Sequence, residues 1–166
     1  MRILSFAAAL SLALALPAAA QERPVNVAPN APADAPVTVV NDTMQARFFA
    51  LIEPQAARAR AAYPEAKARF LAGLPAGQSF FAVTRLRDAD GRFEQVFIAV
   101  DGIQDGKITG RIWNDIHLVR GFRAGQSHTF PEAELVDWLI TRPDGTEEGN
   151  FVGKFIDEMR RTGGKP

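Results

Sequence analysis

Two runs of aromatic and β-branched residues, "SFFAVTRLR" at 79–87 and "RFEQVFIAV" at 92–100, stand back to back across Asp88, Ala89, Asp90 and Gly91. Turn formers between two strand-like runs are a hairpin signal. In the second run Val96, Ile98 and Val100 alternate with Phe93, Phe97 and Ala99, so both faces of that strand are apolar. Such a strand needs cover on both sides and belongs inside a sheet. The hairpin therefore restricts the chain to folds in which a sheet carries the core and other elements shield it.

Further strands are predicted at 107–113, 126–130 and 136–141, giving about five, with a turn at Asp144-Gly145. Ahead of the sheet, Met44, Phe48, Leu51 and Ile52 repeat at the spacing of one helix face. Asp42 and Gln45 imitate a capping box at its start. Glu53-Pro54 is expected to stop or kink this helix. A second, alanine-rich helical stretch begins near Gln55, with a bend expected at Pro64 because proline disfavours helical angles in Tyr63. Gly73, Pro75 and Gly77 close it. Phe151, Phe155, Ile156 and Met159 mark a short C-terminal helix, weakened by Gly153. The predicted architecture is α+β: N-terminal helices packed on an antiparallel β-meander, with a short C-terminal helix, in one domain over 41–162.

The first forty residues have another character. Arg2 is followed by an apolar run to Leu16, then Pro17, three alanines and Gln21. This is the pattern of a secretory signal peptide cleaved after Ala20. The run is too short for a membrane helix, so no retained anchor is expected, and the product is expected to be periplasmic or secreted. Removing residues 1–20 from the 166 leaves 146, the size of a single domain. Residues 21–40 hold Pro24, Pro29, Pro32 and Pro36 and are expected to form a flexible leader. Without Arg2 the chain has 18 basic against 19 acidic residues, which gives no basic excess for nucleic acid. The absence of cysteine excludes disulfides, thiol catalysis and a lipidated cysteine.

The stretch "DGIQDGKITG" from Asp101 resembles the start of a calcium loop, but Ile103 and Ile112 occupy positions where that loop needs oxygen ligands. Asp-Gly in this context is expected to be a turn. His117 and His128 lie eleven apart and match no compact metal-ligand spacing. Neither Ser79 nor Ser127 sits in a nucleophile elbow. No metal and no cofactor is called for. Glu94, Asp115 and Asp137 are carboxylates among apolar residues, where a raised pKa suits an acid or base, although strand-edge solvation is the plainer expectation. Trp113 and Trp138 suit either an aromatic platform for a sugar or peptide, or ordinary core packing.

The ordered pieces "YPEAKARFLAGLPAGQSFFAV", "DGRFEQVFIAV", "GKITGRIWND", "FRAGQSHTF", "LVDWLITRPDG" and "GNFVGKFI" together resemble the YegJ-like family of small bacterial domains of unknown function. The resemblance covers roughly 55–156 and supports the fold and the order of elements. It singles out Glu94, Asn114, Gly125, Gln126, Asp137, Trp138, Gly149 and Lys154. Gln95 stands where the family usually has His, which removes the motif's best proton carrier. The resemblance implies no activity. The expected role is a binding or interaction module for an envelope component or protein, with Glu94, Asn114, Asp137 and Trp138 as candidate contacts. The alternative is a hydrolase of envelope material using Glu94 and Asp137 as a carboxylate pair, with Asn114 orienting a ligand. A third reading has Asp137 and Trp138 tying the sheet to the helices.

Overall fold

The structure is a computed structural model that describes residues 31–32 and 42–163. The expected signal peptide, its cleavage point and most of the Pro/Ala-rich leader lie outside these residues, as does the side chain of Asp42.

A single helix, α1 (Asp42–Ala72), replaces the two helical stretches expected from the sequence. It runs through both Pro54 and Pro64. An interior proline costs a helix about 3 kcal/mol, because it removes one hydrogen bond and crowds the carbonyl four residues back. Here both prolines are exposed, and so are Ala50 and Arg60, whose carbonyls lose their partners. Those carbonyls can bond to water. The opposite side buries Phe48, Ile52, Ala56, Ala59, Tyr63 and Ala66, a stripe spaced by three and four. Burying each large side chain in it contributes about 1.5–3 kcal/mol. That stripe carries the helix through both prolines.

Six strands follow: β1 (Ser79–Arg87), β2 (Phe93–Gln104), β3 (Lys107–Ile112), β4 (Ser127–Pro131), β5 (Asp137–Thr141) and β6 (Glu147–Gly149). They form one antiparallel sheet in the order β4-β3-β2-β1-β5-β6. The first four make a meander. The chain then crosses through a 3-10 turn at Glu132–Glu134 and adds β5 on the other side of β1. As expected, β2 is interior, between β1 and β3. The strand missing from the sequence reading is β6, whose Glu147, Glu148 and Gly149 hold their place through pairing with Leu139, Ile140 and Thr141. The short C-terminal helix, α2 (Phe151–Arg161), is present.

The stretch at Asp101 divides into two features. Asp101-Gly102 belongs to β2, where the register shifts between Val100 and Gly102 as in a β-bulge. The turn is Asp105-Gly106 alone, with φ of 51° and 71°, the left-handed pair that a two-residue hairpin requires.

The core has two layers. On the first face of the sheet Phe80, Ala82, Val96, Ile98, Ile112 and Trp138 pack against Ala59, Tyr63 and Ala66 of α1. On the second face Phe81, Val83, Ala99 and Leu139 pack against Phe48, Ile52 and Ala56 of α1 and against Val152 and Ile156 of α2. The second face is only half covered: over β3 and β4 its outward positions, Thr109, Arg111, Ser127 and Thr129, are half-buried or exposed.

Candidate functional site

All four candidate contacts singled out in the sequence are buried: Glu94 is 7 % exposed, Asn114 5 %, Asp137 1 % and Trp138 2 %. Each has at least one polar side-chain atom engaged by a backbone group of this chain. The Glu94 carboxylate accepts from the backbone N–H groups of His117 at 3.0 Å, Leu118 at 2.8 Å and Val119 at 3.2 Å. Asn114 Oδ1 accepts the Phe97 N–H at 2.5 Å, next to the Trp113 N–H that donates to the Phe97 carbonyl at 2.8 Å. The chain beyond β3 thus stays against β2 for two more residues, one held by backbone and one by a side chain.

Asp137 reaches from β5 to the start of α2. Its Oδ2 accepts the Val152 N–H at 2.7 Å, and its Oδ1 accepts the Trp138 N–H at 2.8 Å. The first amides of a helix have no intrahelical partners, so this carboxylate caps α2 from a distance. Burial pushes its pKa up to about 6, against the opposing pull of the Val152, Trp138 and Phe151 amides and the Lys154 charge. Trp138 stacks on Phe80 with ring centroids 6.1 Å apart, meets the edge of Phe151, and donates its indole N–H to the Ala59 carbonyl of α1 at 2.9 Å. Asp137 and Trp138 therefore join the sheet to both helices, as the third sequence reading has it.

The carboxylate pair does not form. Glu94 stands opposite Leu86 on β1, whereas Asp137 stands opposite Val83. Positions three apart on a strand point to opposite sides. Glu94 and Asp137 therefore leave the sheet from opposite faces, and the paired-carboxylate hydrolase has no geometric basis. Sequence reasoning sees apolar neighbours around each carboxylate but not the amide donors that fold against them. Asp115 lies exposed on the loop beyond β3. His117 is on the same loop, and His128 packs between Phe122 and Phe130. Among the described residues no cluster of three His, Cys, Asp or Glu is placed to hold a metal ion.

A partly exposed aromatic surface is centred on Trp113, 38 % exposed at the border between the covered and open halves of the second face. Its ring meets the edge of buried Phe81 at 5.7 Å, with Phe97 half-buried alongside. Its indole N–H donates at 3.3 Å to the carbonyl of Pro32, and Ala31 packs against the same cluster. Arg111, two residues back and on the same face, lies 4.0 Å from Asp101. Glu94 and Asn114 brace this site from behind, since they hold the amides at 117–119 and keep residue 114 against β2. Asp88 adds a third brace by accepting the Arg120 N–H at 3.0 Å. A sequence signal for the site was present: in "KITGRIW" Ile108, Gly110 and Ile112 point inward, which leaves Lys107, Thr109, Arg111 and Trp113 on the opposite, polar side.

Other residues singled out by the family resemblance also do local structural work. Gly125 and Gly149 both have φ of 76°. A Cβ on Gly149 would meet the Trp138 carbonyl at 2.3 Å. Gln126 accepts the Arg123 N–H, and Lys154 donates to the carbonyls of Glu147 and Gly149. The chain matches no family model, no curated protein and no solved structure.

Proposed function

We propose that this chain is an exported binding module whose contact surface is the open half of the second face, centred on Trp113. The observation that carries the reading is the half-exposed indole, seated on Phe81 and already bonded to a peptide carbonyl outside the sheet. A flat aromatic side chain with an apolar body and a polar handle is suited to recognition, because it offers contact area with little loss of conformational freedom on binding. Export rests on the apolar N-terminal run, and the YegJ-like resemblance rests on the sequence pieces alone. The mechanism needs no cofactor: the sheet and its bracing side chains preorganise the platform, and the ligand adds contacts to it.

Affinity capture from envelope extract tests the surface. Capture by the unaltered chain is expected to be lost with Trp113→Ala and kept with Arg161→Ala, an exposed change on α2. Equal capture by both variants would move the contact to another surface. Mass measurement of the exported product tests the compartment, with a mature chain beginning at Gln21 as the expected result.

A further inference from the structure

The occupant of the Trp113 platform points to its ligand class, an inference that rests on the reading of this face as a binding surface. Pro32 is buried there, Ala31 packs beside it, and the Pro32 carbonyl accepts the indole N–H. The sequence around them, "APNAPADAP" at 28–36, holds three Ala-Pro units, and Pro29 and Pro32 are three apart. A polyproline II ribbon has three residues per turn, so prolines at this spacing share one side of it. Its backbone has no internal hydrogen bonds, which leaves its carbonyls open to a donor such as an indole N–H. Proline rings against aromatic side chains, with a donor at a carbonyl, are the means by which Pro-x-x-Pro segments dock in aromatic-lined grooves. An indole whose sole task was to anchor the leader would be covered by it. Trp113 stays 38 % exposed with Ala31 and Pro32 in place, so the platform is wider than its present occupant.

We propose that the Trp113 face binds proline-containing extended peptides of the Pro-x-x-Pro type from a partner protein, and that the chain's own Ala31-Pro32 occupies the face in cis and is displaced by the partner. A tethered segment competes at an effective concentration on the order of millimolar, so the leader sets a threshold for the partner's affinity. The apparent affinity for a trans peptide falls by the fraction of time the face is free.

The test titrates two synthetic peptides against the full chain, reads affinity by calorimetry for every variant, and follows the Trp113 indole N–H by NMR in the chains that retain this tryptophan. One peptide is "VAPNAPADAP", residues 27–36; the other carries serine at both positions matching Pro29 and Pro32. The first is expected to shift the Trp113 signal, to bind a Pro32→Gly chain about tenfold more tightly if the leader covers the face nine-tenths of the time, and to lose binding with Trp113→Ala. Trp113→Phe, which keeps a ring and removes the donor, is expected to bind several-fold more weakly while melting close to the unaltered chain. Equal binding of the serine peptide would overturn the ligand class. An unchanged affinity in Pro32→Gly would overturn the cis occupancy. If neither peptide moves the indole signal of any chain while envelope capture still depends on Trp113, the peptide proposal falls and the surface reading stands.

Discussion

The two tryptophans of this chain make opposite use of the same side chain. Each packs against a phenylalanine of β1 and donates its indole N–H to a backbone carbonyl. Trp138 does so inside the first layer of core, between β5 and α1, and is 2 % exposed. Trp113 does so at the margin of the second layer, toward a segment outside the sheet, and is 38 % exposed. The difference follows from sheet position. Trp138 lies on a strand covered by helix, whereas Trp113 follows β3, whose outward Thr109 and Arg111 are not part of the layer formed with α1 and α2. One indole is locked between sheet and helix, and the other stays partly exposed at the margin of the sheet.

The strongest way to break this contrast is to truncate both. Trp138→Ala removes the stack on Phe80, the contact with Phe151 and the tie to Ala59, and is expected to destabilise by about 3–5 kcal/mol. Trp113→Ala is expected to cost less, about 1.5 kcal/mol, because more than a third of the residue is already exposed. Denaturant midpoints at unchanged slope check both, and equal losses would erase the distinction.

Asp137→Asn sharpens the Trp138 side of the comparison. An amide offers one acceptor where the carboxylate meets amides of both Trp138 and Val152, so a loss of about 1–3 kcal/mol is expected. The pH dependence has a defined sign. The folded pKa, about 6, lies above the ordinary 3.8, so between these values the folded state holds more protons than the unfolded one. The contribution of this group is full below pH 3.8 and falls as pH rises through 6, by at most about 3 kcal/mol. The stability gap between the unaltered chain and Asp137→Asn should therefore narrow from pH 4 to pH 7. A gap that widens over that range would contradict the buried setting of the carboxyl.

Glu94→Gln acts on the other side and more locally. It weakens the grip on the amides of His117, Leu118 and Val119, which should exchange their hydrogens faster while amides of β5 keep their rates. Uniform acceleration across the sheet would mean that Glu94 supports the whole fold and not the Trp113 segment.

Those variants also show where sequence reading reached its limit. The hairpin of β1 and β2 was legible because both faces of β2 are apolar, and the Asp105-Gly106 and Asp144-Gly145 turns because their residue types match the backbone needed there. The unbroken α1 was hidden because proline's cost depends on which side of the helix it faces, a fact of tertiary packing. Roles for Glu94 and Asp137 were hidden because their amide partners lie 23 to 25 and 15 residues away and meet them only after folding. A carboxylate among apolar residues looks the same in sequence whether it faces a ligand or caps a helix. Trp113 was within reach from the alternation of β3, but which face α1 and α2 leave open is decided by strand order, and the return of β5 to the side of β1 has no local signature.

Hydrogen exchange of the two indole N–H groups in the full chain tests the central contrast most directly. The account predicts that the Trp138 indole exchanges only when the domain unfolds, that the Trp113 indole exchanges much faster, and that Pro32→Gly speeds Trp113 further without altering Trp138. Two indoles that exchange equally slowly, with neither affected by Pro32→Gly, would contradict it.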